Sequence, residues 1–282
     1  MKKGKILVNG SVVLDTIFQK EFFGGTGANI AYGLGKLKAS PLLFSLAGHN
    51  FKKDFYPHLK KNGIDVRIHI DVSGLTARFC VASDNKGKEI TSWQPNVYKK
   101  INKISLTKKI KVNELKEISI AIFSPGTSES ILKHIYEFRQ VAPKATIIFD
   151  PGQEIYNFSK KILEKCINFC DIFIVNEIEY TQTKKILGKD PRKFIKKKII
   201  IETRGEKGSV VFDGHAKGWI SKKIIKVPAI RPENILDTTG AGDAYRAGLI
   251  FGLWQGVSLV KACTLGALTA SKNIECLGCQ KY

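Results

Sequence analysis

Short, mainly apolar runs alternate along this chain with longer stretches whose apolar residues recur every three or four positions. The runs are Lys5–Val8, Leu42–Leu46, Ser119–Phe123, Thr146–Phe149, Ile172–Val175 and Lys198–Glu202. Runs this short and apolar read as strands buried on both faces, as in a parallel sheet covered by helices on either side. The 3.6-residue period predicts helices over Ile30–Leu37, Phe51–Lys61, Ser128–Gln140, Phe158–Asn168, Glu177–Leu187, Ala244–Trp254 and Leu259–Lys272. The last of these carries Ala262, Gly266, Ala267 and Ala270, so another element should pack closely on it. Two runs follow a different period. Thr76–Ala82 and Lys88–Trp93 flank Asp84-Asn85-Lys86-Gly87, which predicts a hairpin. Ser209–Asp213, Gly218–Ser221 and Ile224–Val227 read as antiparallel edge strands. The expected fold class is α/β, with a mostly parallel central sheet.

Ligands of such sheets bind at the carboxyl ends of the strands. Three polar stretches fall there: Ser124–Thr127, Asp150–Gln153 and Asn176–Glu179. A fourth stretch is more specific. Asp237-Thr-Thr-Gly-Ala-Gly-Asp243 follows the short apolar run Ile235-Leu236 and precedes a helix. This reads as a strand-to-helix turn that leaves backbone N–H groups uncovered, and such groups bind anions with help from the helix dipole. Gly240 and Gly242 let the backbone approach a phosphate, and Asp243 places an acceptor beside it. An anion cradle with an adjacent base is the minimum for phosphoryl transfer to an alcohol. A second glycine-rich helix entry, Gly24–Asn29, follows Asp15.

The string Asp237–Asp243 closely resembles the C-terminal signature of the ribokinase-like (PfkB) kinase family. Three further motifs agree in order. Asp15, Gly25 and Asn29 match the positions that hold the hydroxyls of the phosphoryl acceptor. Asn176-x-x-Glu179 matches the motif that helps place Mg²⁺ and the triphosphate, largely through water. Thr203-Arg-Gly205-Glu-Lys-Gly208 is similar to the turn along the nucleotide, and Asn273 to Gly278 fall where the family builds one wall of the adenine pocket. The resemblance implies one three-layer α/β/α domain over residues 1–282 with a reduced β-lid, its segments at about 12–23 and 76–98. It implies ATP and Mg²⁺ as cofactors, with a monovalent cation as an option. Asp243 would be the base, and the N–H groups of Ala241, Gly242 and Asp243, turned by Gly240, would form the anion hole. A carboxylate at a helix N-terminus is expected to have a lowered pKa. Asp150–Gln153 and Gly278–Gln280 resemble archaeal-type nucleoside kinases, so a nucleoside is the favoured acceptor, with Gln153 in its site. A sugar kinase is the runner-up, and a non-catalytic nucleotide- or RNA-binding relative comes third. Only Thr16–Phe23 separates Asp15 from Gly24, where relatives carry a lid hairpin. The lid is therefore expected to be short, and a homodimer completing the site in trans is an open alternative. Trp93, Gln94 and Asn96 end the second lid segment within reach of an acceptor, and Arg246 lies one helical turn past Asp243.

Composition narrows the reading further. Apolar residues make up 43% of 282 positions, enough for a sizeable core. No run approaches the roughly 18 apolar residues of a membrane span, and Ile6–Val8 is too short for a signal-peptide core. A cytoplasmic protein is expected. The net charge is +21, but the lysines are spread along the chain, with Lys196-Lys197-Lys198 the tightest cluster. A general attraction for anionic substrates such as ATP fits this better than nucleic-acid binding. The six cysteines include Cys276-x-x-Cys279 without a second such pair, and Cys166 and Cys170 lie one helical turn apart. Buried reduced thiols are the main reading and a four-Cys zinc site the minor one. The five histidines have no metal-ligand spacing.

Overall fold

The computed structural model describes residues 3–17, 20–83, 89–193, 198–214 and 223–282. The predicted turn at 84–87, Lys196 and Lys197, and the predicted strand Gly218–Ser221 lie outside the described residues.

Among the described residues the main sheet has nine strands. From edge to edge they are Lys223–Val227, Ser209–Asp213, Ile199–Thr203, Ile172–Asn176, Thr146–Phe149, Ile118–Phe123, Lys5–Asn9, Leu42–Phe44 and Asp65–Val66. The first two pairings are antiparallel and the rest are parallel. Successive side chains of a strand face opposite sides, and here both sides are apolar. Ile6, Val8, Ile120, Ile122, Ile172 and Ile174 enter one core, with Ile30, Leu34, Ala247, Ile250 and Ala262 from helices 26–36, 241–255 and 259–274. Leu7, Ala121, Phe123, Phe173 and Val175 enter the other, with Ile131, Ile135, Leu163 and Tyr180 from helices 128–141, 160–169 and 177–187. Each buried side chain of this size stabilises by about 1.5–3 kcal/mol. The result is the expected three-layer α/β/α arrangement.

The register brings the carboxyl ends of the strands together. Asn9 pairs with Phe123, Phe123 with Phe149, and Asn176 with Thr203. The polar stretches after these strands therefore share one rim.

A second sheet of four strands covers part of that rim, in the order Lys20–Gly24, Val13–Ile17, Ala77–Ser83, Glu89–Gln94. The short lid expected over Thr16–Phe23 keeps a hairpin. Val13–Ile17 and Lys20–Gly24 pair antiparallel, Ile17 opposite Lys20, with only residues 18 and 19 between them. A hairpin needs no longer connection, so the lid is short but present. The approach to the signature departs from the expected strand-to-helix turn. Ile235 and Leu236 form no strand. They are 71% and 64% exposed, in an irregular segment whose Leu236 and Asp237 N–H groups donate to the Ile274 carbonyl at 2.9 and 3.2 Å. Two apolar residues without a neighbouring strand take the carbonyl that a helix end leaves free.

Helices 241–255 and 259–274 pack backbone to backbone, as the small residues require. A Cβ added at Gly248 would lie 2.4 Å from the Leu265 carbonyl oxygen, and one at Gly252 would lie 2.7 Å from the Ala262 Cα. Gly248→Val should therefore lower stability by about 3 kcal/mol through overpacking, seen as a lower urea midpoint at unchanged slope. An unchanged midpoint would mean that the two helices have room to separate.

Candidate active site

Helix 241–255 opens at the rim. Its N-cap, Gly240, sits at φ 80°, ψ 0°, a left-handed conformation that a side chain resists. A Cβ there would also lie 2.8 Å from the Cys279 sulfur. No side chain caps this helix. Ala241 N–H makes a long 3.3 Å contact to the Thr238 carbonyl, and Ala244 N–H bonds Gly240 at 2.9 Å. The N–H groups of Gly242 and Asp243 thus stand at the helix opening, where the dipole favours an anion. The turn is held from below by Asp237, whose carboxylate accepts from Thr239 N–H at 2.8 Å and Gly278 N–H at 2.9 Å.

Asp243 lines a cavity and is half-buried. Desolvation pushes its pKa up to about 7, with Asp150 and Glu179 adding to the rise and Arg246 and Asn29 opposing it. This reverses the lowering expected from a helix N-terminus. The dipole is worth about 0.3–1 kcal/mol, less than the roughly 1.4 kcal/mol of a single pKa unit, so burial decides the sign. Asn29 Nδ2 donates to Asp243 Oδ2 at 2.8 Å. Asn29 reaches it because helix 26–36 starts at the glycine-rich turn. Gly25 takes φ 91°, and Gly27 lies so close to Gly10 that a Cβ would meet its carbonyl carbon at 2.6 Å. Asp15 approaches from the lid, on Val13–Ile17 between Phe22 and Phe79. Desolvation, reinforced by Asp243, pushes its pKa up to about 7 as well. Asp15, Gly25, Asn29 and Asp243 therefore come together from three separate parts of the chain.

The cavity, about 1360 Å³, is lined by Gln153, Asn176, Glu179, Thr203, Gly205 and Gly208, and by Ala241, Gly242 and Asp243. Asn176 and Glu179 form a reciprocal cap on helix 177–187: Glu179 N–H donates to Asn176 Oδ1, and Asn176 N–H to Glu179 Oε2, both at 2.8 Å. Glu179 is also raised in pKa, by burial and by Asp150. Gly205 and Gly208, at φ 54° and 84°, make the turn after Ile199–Thr203. Arg204 in that turn is bound by Glu202, at 3.0 and 3.1 Å. The opposite wall is Ala267, Ala270, Ser271 and Ile274. Asn273, expected on that wall, is turned away from it. It is 1% exposed, and neither amide atom finds a protein partner. On the helix Asn273 lies beside Ala270 and Ile274, at the edge of the face that lines the cavity, and its burial sets it apart from them. On the lid, Asn96 Nδ2 donates to the Thr76 carbonyl at 3.0 Å, tying the lid's base, while Trp93 is 45% exposed.

Sequence reasoning passed over one pair. Arg246, placed one turn past Asp243, forms a buried ion pair with Asp150, its Nη2 donating to Oδ1 at 2.9 Å, while Nη1 donates to the Gly242 carbonyl at 2.9 Å. Asp150 directly follows an apolar strand at its carboxyl end, which was the available signal. Arg246 faces Asp150, Glu179 and Asp243 together.

Breaking such a pair costs about 3–5 kcal/mol where the buried charge is left alone, and should cost less here, where Glu179 and Asp243 stay near Arg246. Asp150→Asn should thus destabilise more than the double change Asp150→Asn with Arg246→Gln, by urea titration; the reverse order would deny the coupling. Asp15 gives a pH test. Its pKa rises from 3.8 to about 7, so the folded state holds the proton longer than the unfolded state. Stability then falls as pH rises from about 4 to about 7. Asp15→Asn should raise the melting temperature at pH 8 and leave it nearly unchanged at pH 4. An equal effect at both would contradict the raised pKa.

Comparison with known proteins agrees with this geometry. The nucleoside kinase of Methanocaldococcus jannaschii is 28% identical over 302 aligned residues, which span 99% of this chain and 93% of that protein. The crystal structure of the M. jannaschii nucleoside kinase, described as an archaeal member of the ribokinase family, matches with a TM-score of 0.88 at 27% identity, covering 99% of this chain and 94% of that one. The nucleoside kinase of Burkholderia thailandensis, solved in complex with inosine, matches with a TM-score of 0.83 at 25% identity, covering 98% and 93%. The family model for pfkB family carbohydrate kinases matches residues 9–282, and the chain belongs to that family.

Proposed function

We propose that this chain, acting as one domain, transfers the γ-phosphoryl group of ATP to the 5′-hydroxymethyl group of a nucleoside. The observation that carries the reading is Asp243: a half-buried carboxylate lining the cavity, held by Asn29, at the opening of an uncapped helix. A pKa near 7 suits a general base at neutral pH. The hydroxyl proton passes to Asp243, the hydroxyl oxygen bonds to the γ-phosphorus, and the bond from that phosphorus to the ADP oxygen breaks. The N–H groups of Gly242 and Asp243 neutralise charge on the transferring group, and Ala241 joins them once its long contact to Thr238 gives way.

Asp15 and Asn29 hold the acceptor. An amide has two donors and two acceptor sites. Asn29 spends one donor on Asp243 and keeps the other for a hydroxyl. The triphosphate lies along Thr203, Gly205 and Gly208, with adenine against Ala270 and Ile274. Gln153 lines the same cavity, and we assign it to the acceptor. Support for a nucleoside comes from the relatives named nucleoside kinase and from the inosine complex of the B. thailandensis enzyme.

Magnesium fits the donor set. Glu179 lines the cavity next to Asp150 and Asp243, and one of its oxygens is taken by the helix cap. A single carboxylate suits an ion that keeps most of its waters and binds phosphate oxygens, where it would neutralise their charge. A cytoplasmic location belongs to this reading, and a monovalent cation or a homodimer is compatible with it.

The test is ATP consumption over a panel of nucleosides and sugars. A nucleoside should be phosphorylated, and Asp243→Asn should lose at least about a hundredfold in kcat. For the wild type, kcat/KM should rise with pH to a midpoint near 7, where Asp243 ionises. Turnover of sugars alone would overturn the acceptor, and an active Asp243→Asn would overturn the base.

A further inference from the structure

Three hydrogen bonds join Asp243 to a histidine on a distant helix. Asn29 Nδ2 donates to Asp243 Oδ2 at 2.8 Å, and Gln280 Nε2 donates to Asn29 Oδ1 at 2.8 Å. Gln280 Oε1 in turn meets His58 Nε2 at 3.0 Å. These residues lie on helix 241–255, helix 26–36, the segment after helix 259–274, and helix 55–61. Asn29 and Gln280 are 5% and 6% exposed, so neither amide can readily turn to water for a substitute partner.

We propose that Gln280 and His58 are positioning residues for the base: they fix the Asn29 amide so that its N–H, not its oxygen, points at Asp243. The inference rests on the kinase reading only for its consequence, because the hydrogen-bond order holds in the protein alone.

The directions follow from the chemistry of each group. An ionised carboxylate only accepts, so Asn29 must offer it an N–H. Asn29 Oδ1 then faces Gln280 and requires a donor, which the Gln280 amide nitrogen supplies. The Gln280 oxygen is left facing His58, which must carry its proton on Nε2. A neutral ring with the proton there satisfies this, and so does a charged ring. The far end therefore holds the same polarity throughout the working pH range. His58 is itself clamped. Its ring stacks on Tyr32 at 5.6 Å with 5° between planes, and Phe23 of the lid lies 4.7 Å away. Phe23 also stacks on Phe55 at 4.6 Å, one helical turn before His58. The far end of the chain of bonds is thus held by the lid, which covers the acceptor.

The other groups facing Asp243 are Arg246 on its own helix, Asp150, Glu179, Asp15 on the lid, and Cys279 and Tyr282 beside Gln280. Lys61 is the charged neighbour of His58. A change at Gln280 that preserves shape leaves all of these in place. Gln280→Met is such a change, since it removes the donor and acceptor but keeps the length of the side chain. Without Gln280, Asn29 is free to turn its oxygen toward Asp243, which favours the protonated acid.

The experiment is a carbon NMR titration of the aspartate carboxyls in the full chain without substrate, with Asp243→Asn to assign the resonance. Gln280→Met should move the Asp243 midpoint upward by about half a unit or more. His58→Phe, which keeps the ring stack, should move it in the same direction by less. The double variant should match Gln280→Met alone, because the two act in series. The acid limb of kcat/KM for the acceptor should shift with the titration, while the KM for ATP stays unchanged. If Gln280→Met does not fold, the His58→Phe titration decides alone. Unmoved midpoints in folded variants, or additive effects in the double variant, overturn the relay and leave the kinase reading intact. A shifted titration in a protein that phosphorylates nothing would do the opposite.

Discussion

Three carboxylates, Asp150, Glu179 and Asp243, face one guanidinium, Arg246, at the carboxyl edge of the sheet. Arg246 and Asp150 are almost fully buried, and Glu179 nearly so. Enclosed charge is tolerated only when paired and hydrogen-bonded. The two glycine-rich helix entries, the capped start of helix 177–187 and the turn after Phe149 all converge on this group. Arg246 also donates to the Gly242 carbonyl, so the ion pair braces the first turn of the helix whose N–H groups open on the cavity. The charge cluster and the anion-binding turn are one construction.

That construction explains why Asp243, the proposed base, is not weakened by its position. A helix N-terminus stabilises an anion, but its contribution is smaller than the cost of desolvating the carboxyl group and crowding it with Asp150 and Glu179. Asp15 meets the same fate from the lid side. On the proposed mechanism, an incoming triphosphate with its cation would add charge of both signs to a site that holds three carboxylates and one guanidinium. Small changes in the site's proton count would then accompany substrate binding.

The packing behind the site is correspondingly stiff. Helices 241–255 and 259–274 touch through glycines, and the segment after the second helix returns under the signature turn. Cys279 fills the space that Gly240 leaves empty, and the Gly278 N–H closes on Asp237. The Cys276–Cys279 spacing thus has a packing explanation on its second member. Both thiols are free, and Cys279 is buried.

By itself the sequence determined the layers and the edge on which the polar stretches gather. Short continuous apolar strands such as Ile172–Val175 and period-3.6 helices such as Glu177–Leu187 are local patterns, and local patterns survive in the order of residues. The signature Asp237–Asp243 was legible for the same reason, since seven adjacent residues carry it. What the sequence could not decide were quantities set by distance through space. The pKa of Asp243 depends on groups as far away in the chain as Asn29 and Asp150. The pairing of Val13–Ile17 with Lys20–Gly24 depends on Ala77–Ser83 lying alongside. Arg246 could be placed one turn from Asp243, but its partner stood 96 residues away. Gln280 and His58 carry no mark of their connection, because 222 residues separate them and only the fold brings them within 3.0 Å.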